Sequence, residues 1–244
     1  MAEAVKTLTD AEIRRICDEF CTLSIIGEKN SGKSVLDAMI AHALKIPRVC
    51  LFDLLGVFNP SGCNKTAVVP GSAYYSSPAA FINKFENDTQ KHVINFSDTE
   101  EDDLIAEMDA VNAFIETMSK KDNKQTAIIC DESVDIIPES GTYSKKFRRN
   151  IKNGRNWHIR PAIMTTQRPQ EVSKKALEHS DGYFIFKQLG ENTLERLVDI
   201  TNAEDRNAMK TRLRNLEKRH VLFIHGNEIQ EYVIPNYNYA FKQH

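Results

Sequence analysis

No apolar run among the 244 residues approaches the roughly 18 needed for a membrane-spanning helix. The opening residues, Met1-Ala2-Glu3-Ala4-Val5, carry neither the basic nor the apolar region of a secretion signal. A cytoplasmic location without stable membrane insertion is therefore expected. Cysteine is sparse and odd in number, at five. Cys17 and Cys21 stand four apart, but no second Cys/His pair at zinc spacing accompanies them. Free thiols in a reducing compartment are expected, not a disulfide framework or a zinc site. There is no internal repeat and no linker long enough to divide the chain. Nor is there an excess of positive charge: the net charge is −2, so the protein as a whole is not a nucleic-acid sponge. Any contact with nucleic acid would have to be local.

Against those absences, 41 % hydrophobic and 27 % charged residues describe a globular chain long enough for a sizeable core. Its charge is unevenly spread. Residues 98–109 carry seven carboxylates and residues 145–160 carry seven cations. The acidic run reads as a solvated helix face.

The central feature is Gly27-Glu28-Lys29-Asn30-Ser31-Gly32-Lys33-Ser34, which fits G-x-x-x-x-G-K-[ST] at every fixed position. It follows the apolar run Leu23-Ser24-Ile25-Ile26 and precedes a helix-like segment from Val35 to Lys45. That strand–loop–helix setting is what a phosphate-binding loop requires. Glycines let the backbone curl until its N–H groups point at phosphate oxygens, and the helix presents its positive end to the same anion. Gly27, Asn30, Ser31, Gly32, Lys33, Ser34 and Val35 form the candidate nucleotide cradle. Lys33 would reach the β/γ-phosphates and Ser34 would ligate Mg²⁺.

The rest of the pattern alternates strand and helix. Thr9-Asp10-Ala11-Glu12 is a capping box opening a short helix. The strand Arg48–Phe52 ends at Asp53, and His92–Phe96 is a further strand candidate. Residues 56–80 are rich in Gly, Pro, Ser and Asn and read as loop, with one short element near Thr66–Val69; a helix over Pro78–Asn87 follows. Glu100–Met118 has Leu104, Met108, Val111 and Ile115 on one helical face. Strands are expected at Ala127–Cys130, Ala162–Thr166 and Gly182–Phe186, and helices over 144–153, 191–200 and 203–217. Val221–Ile224 and Glu231–Ile234 flank Gly226-Asn227 as an antiparallel pair. The expected fold is α/β: a mostly parallel sheet flanked by helices, closed by that C-terminal pair. Residues 1–21 are expected as a helical extension and 22–244 as the main domain.

In an open parallel sheet, ligands bind at the carboxyl ends of the strands. Asp53, Asp131-Glu132 and Gln167 all stand at such ends, as does the phosphate loop. Asp131 suits a Mg²⁺ carboxylate, and Glu132 would orient and deprotonate an attacking water. Gln167 would sense the γ-phosphate by hydrogen bonding. Arg155 could be supplied to a neighbouring subunit's nucleotide, with Arg148, Arg149 and Arg160 as alternatives.

Together these residues carry a family resemblance. Val49-Cys50-Leu51-Phe52-Asp53-Leu54-Leu55-Gly56 resembles the "D-P-K-G" signature of the HerA/FtsK superfamily of ATPases, with Leu54-Leu55 in place of Pro-Lys. Ile128 to Glu132 is similar to that family's Walker B strand. Gly154-Arg155-Asn156 through Thr165-Thr166-Gln167-Arg168-Pro169 resembles its "G-R-N … A-T-Q-R-P" block in order and distance. The resemblance spans residues 22–226. It implies a RecA-like core, a homo-oligomeric ring (a hexamer), trans-acting arginines, and ATP-driven movement of double-stranded DNA through a central pore. The chain shows no anchor, winged-helix extension or N-terminal barrel, and so is similar to the compact genome-packaging ATPases of poxviruses and membrane-containing phages. Capsid or portal-type viral proteins are then expected partners. Loops at Asn59–Thr66, with Lys65, and Glu139–Lys146, with Lys145 and Lys146, are the candidate DNA contacts, and Tyr143 could add an aromatic one. The rival readings are a motor that moves protein, a nucleotide-gated binding module, and a split terminase motor.

Overall fold

A computed structural model describes residues 5–58, 69–85 and 89–235. In chain order the elements are β1 (Lys6–Thr7), α1 (Asp10–Glu19), β2 (Thr22–Ile26), α2 (Lys33–Ala43), β3 (Arg48–Asp53), β4 (Ser72–Tyr75), α3 (Pro78–Lys84), β5 (Lys91–Asn95) and α4 (Glu101–Asp122). They continue with β6 (Thr126–Cys130), α5 (Lys145–Asn153), β7 (Ile159–Thr166), α6 (Lys174–Leu177), β8 (Gly182–Phe186), α7 (Glu191–Ile200), α8 (Arg206–Asn215), β9 (His220–His225) and β10 (Glu228–Val233).

The strands form one sheet in the order β1-β10-β9-β8-β2-β7-β6-β3-β5-β4. From β8 to β4 every neighbour is parallel. β9 runs against both β8 and β10, as expected for the closing pair. β2, β3, β6 and β8 are buried throughout, which is why they read as continuous apolar runs and not as alternating ones. Their side chains still alternate between two cores. Cys50, Phe52, Ile128 and Cys130 pack with α3 to α8 on one face, while Val49, Leu51, Ala127 and Ile129 pack with α1 and α2 on the other. Met108, Val111 and Ile115 of α4 are buried, with Leu104 partly so.

Several boundaries differ from expectation. α2 begins at Lys33 and ends at Ala43, because Gly32 adopts a left-handed φ of 110° and the helix starts directly after it. α4 runs to Asp122, into the expected polar turn, and stops at Asn123 with φ 56°. The element expected near Thr66–Val69 lies mostly outside the described residues, and the strand that is present, β4, covers Ser72–Tyr75. The helix expected over Pro78–Asn87 ends at Lys84. Within the stretch expected as an N-terminal extension, Thr9 caps α1 by accepting from Glu12 N at 3.3 Å. β1 of the same stretch pairs with Tyr232 and Val233 of β10. Among the described residues no helix is long and apolar enough to cross a membrane.

Candidate active site

Register assembles the site. Ile26 of β2 pairs with Thr166 of β7, and Cys130 of β6 pairs with Met164. Two residues past Met164 and two past Cys130 bring Thr166 level with Glu132. β3 joins on the other side, with Phe52 opposite Cys130 and Asp131 N donating to Phe52 O at 3.1 Å. The carboxyl ends of β2, β7, β6 and β3 therefore form one edge carrying the phosphate loop, Gln167, Asp131-Glu132 and Asp53.

The loop itself is tightly wound. Gly27 N donates to Thr166 O at 3.2 Å and Ser31 N to Glu28 O at 3.2 Å. A Cβ at Gly27 would meet Ser31 Oγ at 2.5 Å and Phe186 Cβ at 2.9 Å, so only glycine fits. Gly32 supplies no side-chain cap to α2, which leaves the first N–H groups of that helix for an anion. Lys33 is 6 % exposed, and its ammonium donates to Glu28 O at 2.9 Å. Burial pushes its pKa down, while Glu132, Asp131, Asp37 and Glu28 pull it back up.

Glu132 stands at a left-handed φ of 55°. Its carboxylate accepts from Thr166 Oγ1 at 3.1 Å, Gln167 N at 3.3 Å and Gln167 Nε2 at 2.9 Å. An ionised carboxylate can only accept, and that fixes which end of the Gln167 amide faces it. The expected base and the expected sensor are thus in direct contact.

Asp131 is 1 % exposed, and its Oδ2 has no hydrogen-bond partner. Burial, then Asp53 and Glu132, push its pKa from 3.8 up to about 7, with Lys33 opposing. Asp53 accepts from Val57 N and Phe58 N, both at 2.9 Å, so it also fastens the turn after β3. Sequence reasoning missed Asp37. It is fully buried on α2, accepts from Thr165 Oγ1 at 2.8 Å, and has an orphaned Oδ2. Burial and Asp131 raise its pKa well above the usual range. Its spacing of four from Lys33, one helical turn, was the available signal.

A hydroxyl at Ser34 and an unpartnered carboxylate oxygen at Asp131 form an all-oxygen donor set, and the N–H groups that open α2 give phosphate a place. That set fits Mg²⁺ held by one or two protein oxygens and nucleotide phosphates.

Asp131 carries a prediction. The unfolded chain ionises this carboxyl near 3.8, but the folded, nucleotide-free protein keeps the proton until about 7. Stability is therefore lost as pH rises between those values and changes no further above them. Asp131→Asn removes the dependence. Its stability relative to the parent should grow across that window, by on the order of 4 kcal/mol at most, then level off. Denaturant unfolding over a pH series, without Mg²⁺ or nucleotide, measures it; a pH-independent difference would refute the assignment.

Other expected residues lie elsewhere. Arg155 is exposed in a short turn before β7, at the opposite edge of the sheet. Eight residues of β7 separate it from Gln167, about 26 Å of strand, so it does not join the site of its own chain. Arg160 is exposed near the same end. Lys145 and Lys146 open α5, and Arg148 and Arg149 follow them on that helix. Lys65 lies outside the described residues.

No family model matches the chain, and no curated protein does. Solved structures do. The genome packaging NTPase B204 from Sulfolobus turreted icosahedral virus 2, in complex with AMPPCP, is 17 % identical, with a TM-score of 0.65 over 88 % of this chain and 97 % of that one. VirB4 of Thermoanaerobacter pseudethanolicus is 13 % identical, with a TM-score of 0.67 over 89 % and 90 %. The bacterial conjugative coupling protein TrwB is 9 % identical, with a TM-score of 0.62 over 96 % and 89 %. These matches agree in fold with the HerA/FtsK resemblance carried by the motifs. What the chain shares with them is the fold, a mostly parallel sheet flanked by helices, here with the Gly27–Ser34 loop at the carboxyl end of β2.

Proposed function

We propose that the chain is a Mg²⁺-dependent ATPase that works as a homo-oligomeric ring, a hexamer, and moves double-stranded DNA, as in packaging a viral or mobile-element genome. The observation that carries the hydrolytic part is the Glu132 carboxylate. It is fixed by Thr166 and Gln167 at the strand end beside Lys33 and Asp131. In this reading the phosphate loop and Lys33 hold the triphosphate, and Ser34 and Asp131 hold Mg²⁺. The ion would neutralise charge on the transferred phosphoryl group. Gln167 turns from Glu132 toward the γ-phosphate, and Glu132 is then free to accept a proton from water. DNA as cargo is supported by the match to a genome packaging NTPase over nearly the whole of both chains. Lys65, Lys145 and Lys146 are proposed to meet DNA phosphates, and capsid or portal-type proteins to be the docking partners, in the cytoplasm or on the virion.

The match to a conjugative coupling protein favours a second reading, a motor of the conjugation type that moves protein. Duplex DNA should stimulate ATP hydrolysis under the first reading, with stimulation falling steeply as salt rises. Hydrolysis indifferent to duplex would sink it.

The distance of Arg155 from its own nucleotide edge supports action in trans. Arg155→Ala subunits doped into wild-type protein should depress activity more than in proportion to their fraction. A strictly proportional loss would argue against action in trans, and no loss at all would assign Arg155 to the surface.

A further inference from the structure

A groove of about 580 Å³ with a mostly cationic lining lies between α5 and α6. Lys145, Arg148, Arg149 and Lys152 line one wall, and Lys175 and His179 line the other. We propose that this groove is a contact surface for the phosphate backbone of duplex DNA, a proposal that rests on the DNA-motor reading above.

The helix wall is built as a charged ridge. Phe147, Asn150 and Ile151 face inward and are buried. Asn150 Nδ2 donates to Asn112 Oδ1 of α4 at 2.9 Å, which sets the helix rotation. Positions 145, 148, 149 and 152 then share the outer face, at spacings of three, four and seven. Like charges at those spacings oppose one another. The first turn holds Lys145 and Lys146 and no acid of its own, and the Asp109 carboxylate of α4 meets that end of the helix by accepting from Lys146 N at 2.9 Å. The repulsion along the outer row does not help α5 fold, and an external anion relieves it.

Of that row, only Arg149 is paired with a carboxylate of the protein among the described residues. Lys145, Lys152 and Lys175 have no ion pair among the described residues. Glu178, the one acid lining the groove, lies 3.8 Å from Lys174. Arg148 lies over the Tyr143 ring at 5.0 Å, and Arg149 reaches Glu116 at 3.2 Å and the Trp157 ring at 4.4 Å. On α8, by contrast, Arg206, Lys210 and Arg214 are each bridged to acids of α7. In a chain of net charge −2, a row with three of its four cations unpaired is a local feature.

The dimensions suit a duplex. Lys145 to Lys152 is seven residues, about 10 Å along the helix axis. One strand of B-DNA offers a charge every ~3.4 Å of axis, so the ridge spans about three phosphates.

The test measures duplex affinity of the full chain by fluorescence anisotropy over a salt series, for wild type, the double variant Lys152→Gln/Lys175→Gln, and Arg148→Gln. Binding of a fluorescent ATP analogue and sedimentation velocity accompany it. Each lost phosphate contact should reduce the log–log salt slope by roughly 0.9, so the double variant should lose nearly two units. Analogue binding and assembly should stay at wild-type level, and Arg148→Lys should keep the wild-type slope. Duplex binding by wild type with an unchanged slope in the double variant overturns the groove alone. Lost assembly with an unchanged slope overturns it in favour of a subunit contact. A wild type that binds no duplex overturns the groove and the DNA-motor reading together.

Discussion

Lys33→Ala should cut ATP hydrolysis at least ~10²-fold, equivalent to about 2.7 kcal/mol of transition-state stabilisation. Nucleotide affinity should fall with it. The argument rests on where the ammonium is held. Lys33 is almost wholly buried, faces Asp131, Glu132 and Asp37, and donates only to the Glu28 carbonyl of its own loop. A buried ammonium with one carbonyl partner has donors left for phosphate oxygens. Removing it leaves the acids of this edge without their cation, which repels a polyanionic ligand. The effect on binding should therefore exceed that of losing one surface charge. Titration with a fluorescent ATP analogue, beside a phosphate-release assay, separates the two losses. Near-normal hydrolysis in the alanine variant would mean that Gly27–Ser34 is not the catalytic phosphate site.

Glu132→Gln should behave in the opposite way toward binding. Nucleotide affinity should be kept while hydrolysis falls by about 10²- to 10⁴-fold, the usual range for losing a general base. The substitution is isosteric. Thr166 Oγ1 and Gln167 N can still donate to the new amide oxygen, and the Gln167 side chain can turn over to accept from the new amide nitrogen. The fold around the site should persist, so the loss can be assigned to the proton-accepting oxygen. Single-turnover hydrolysis with pre-bound ATP reads the chemical step. If that rate is unchanged, the base is another group.

The parts of this site that were legible in the sequence are those written in consecutive residues. Gly27–Ser34 is a local pattern, and Asp131-Glu132 and Gln167 are polar endings on buried runs. Runs such as Ala127–Cys130 are apolar throughout because they are covered on both faces, so the first polar residue marks the strand end. Contacts across strands were not legible. Strand order places β7 between β2 and β6, which brings Thr166 to Glu132, and the packing of α2 on the sheet brings Asp37 to Thr165. Asp53 was visible as a strand ending, but not as the acceptor for Val57 and Phe58. β1, with two residues, and α6, with four, are too short for any periodicity to show. The separation of Arg155 from Gln167 depends on the direction in which β7 crosses the sheet, which the block of motifs does not state.

The backbone at Glu132 has a consequence for anyone altering this protein. A left-handed φ on a residue with a Cβ costs roughly 1–2 kcal/mol, and glycine would adopt the same turn freely. At position 132 that strain is held by a side chain whose carboxylate takes three hydrogen bonds. A programme of thermal hardening that exchanged every unfavourable left-handed residue for glycine could treat His158 and Arg219 as candidates. Applied at 132, the same rule would strip Thr166 and Gln167 of their shared acceptor, a loss that outweighs the relief of about 1–2 kcal/mol in the backbone and also removes the proposed base.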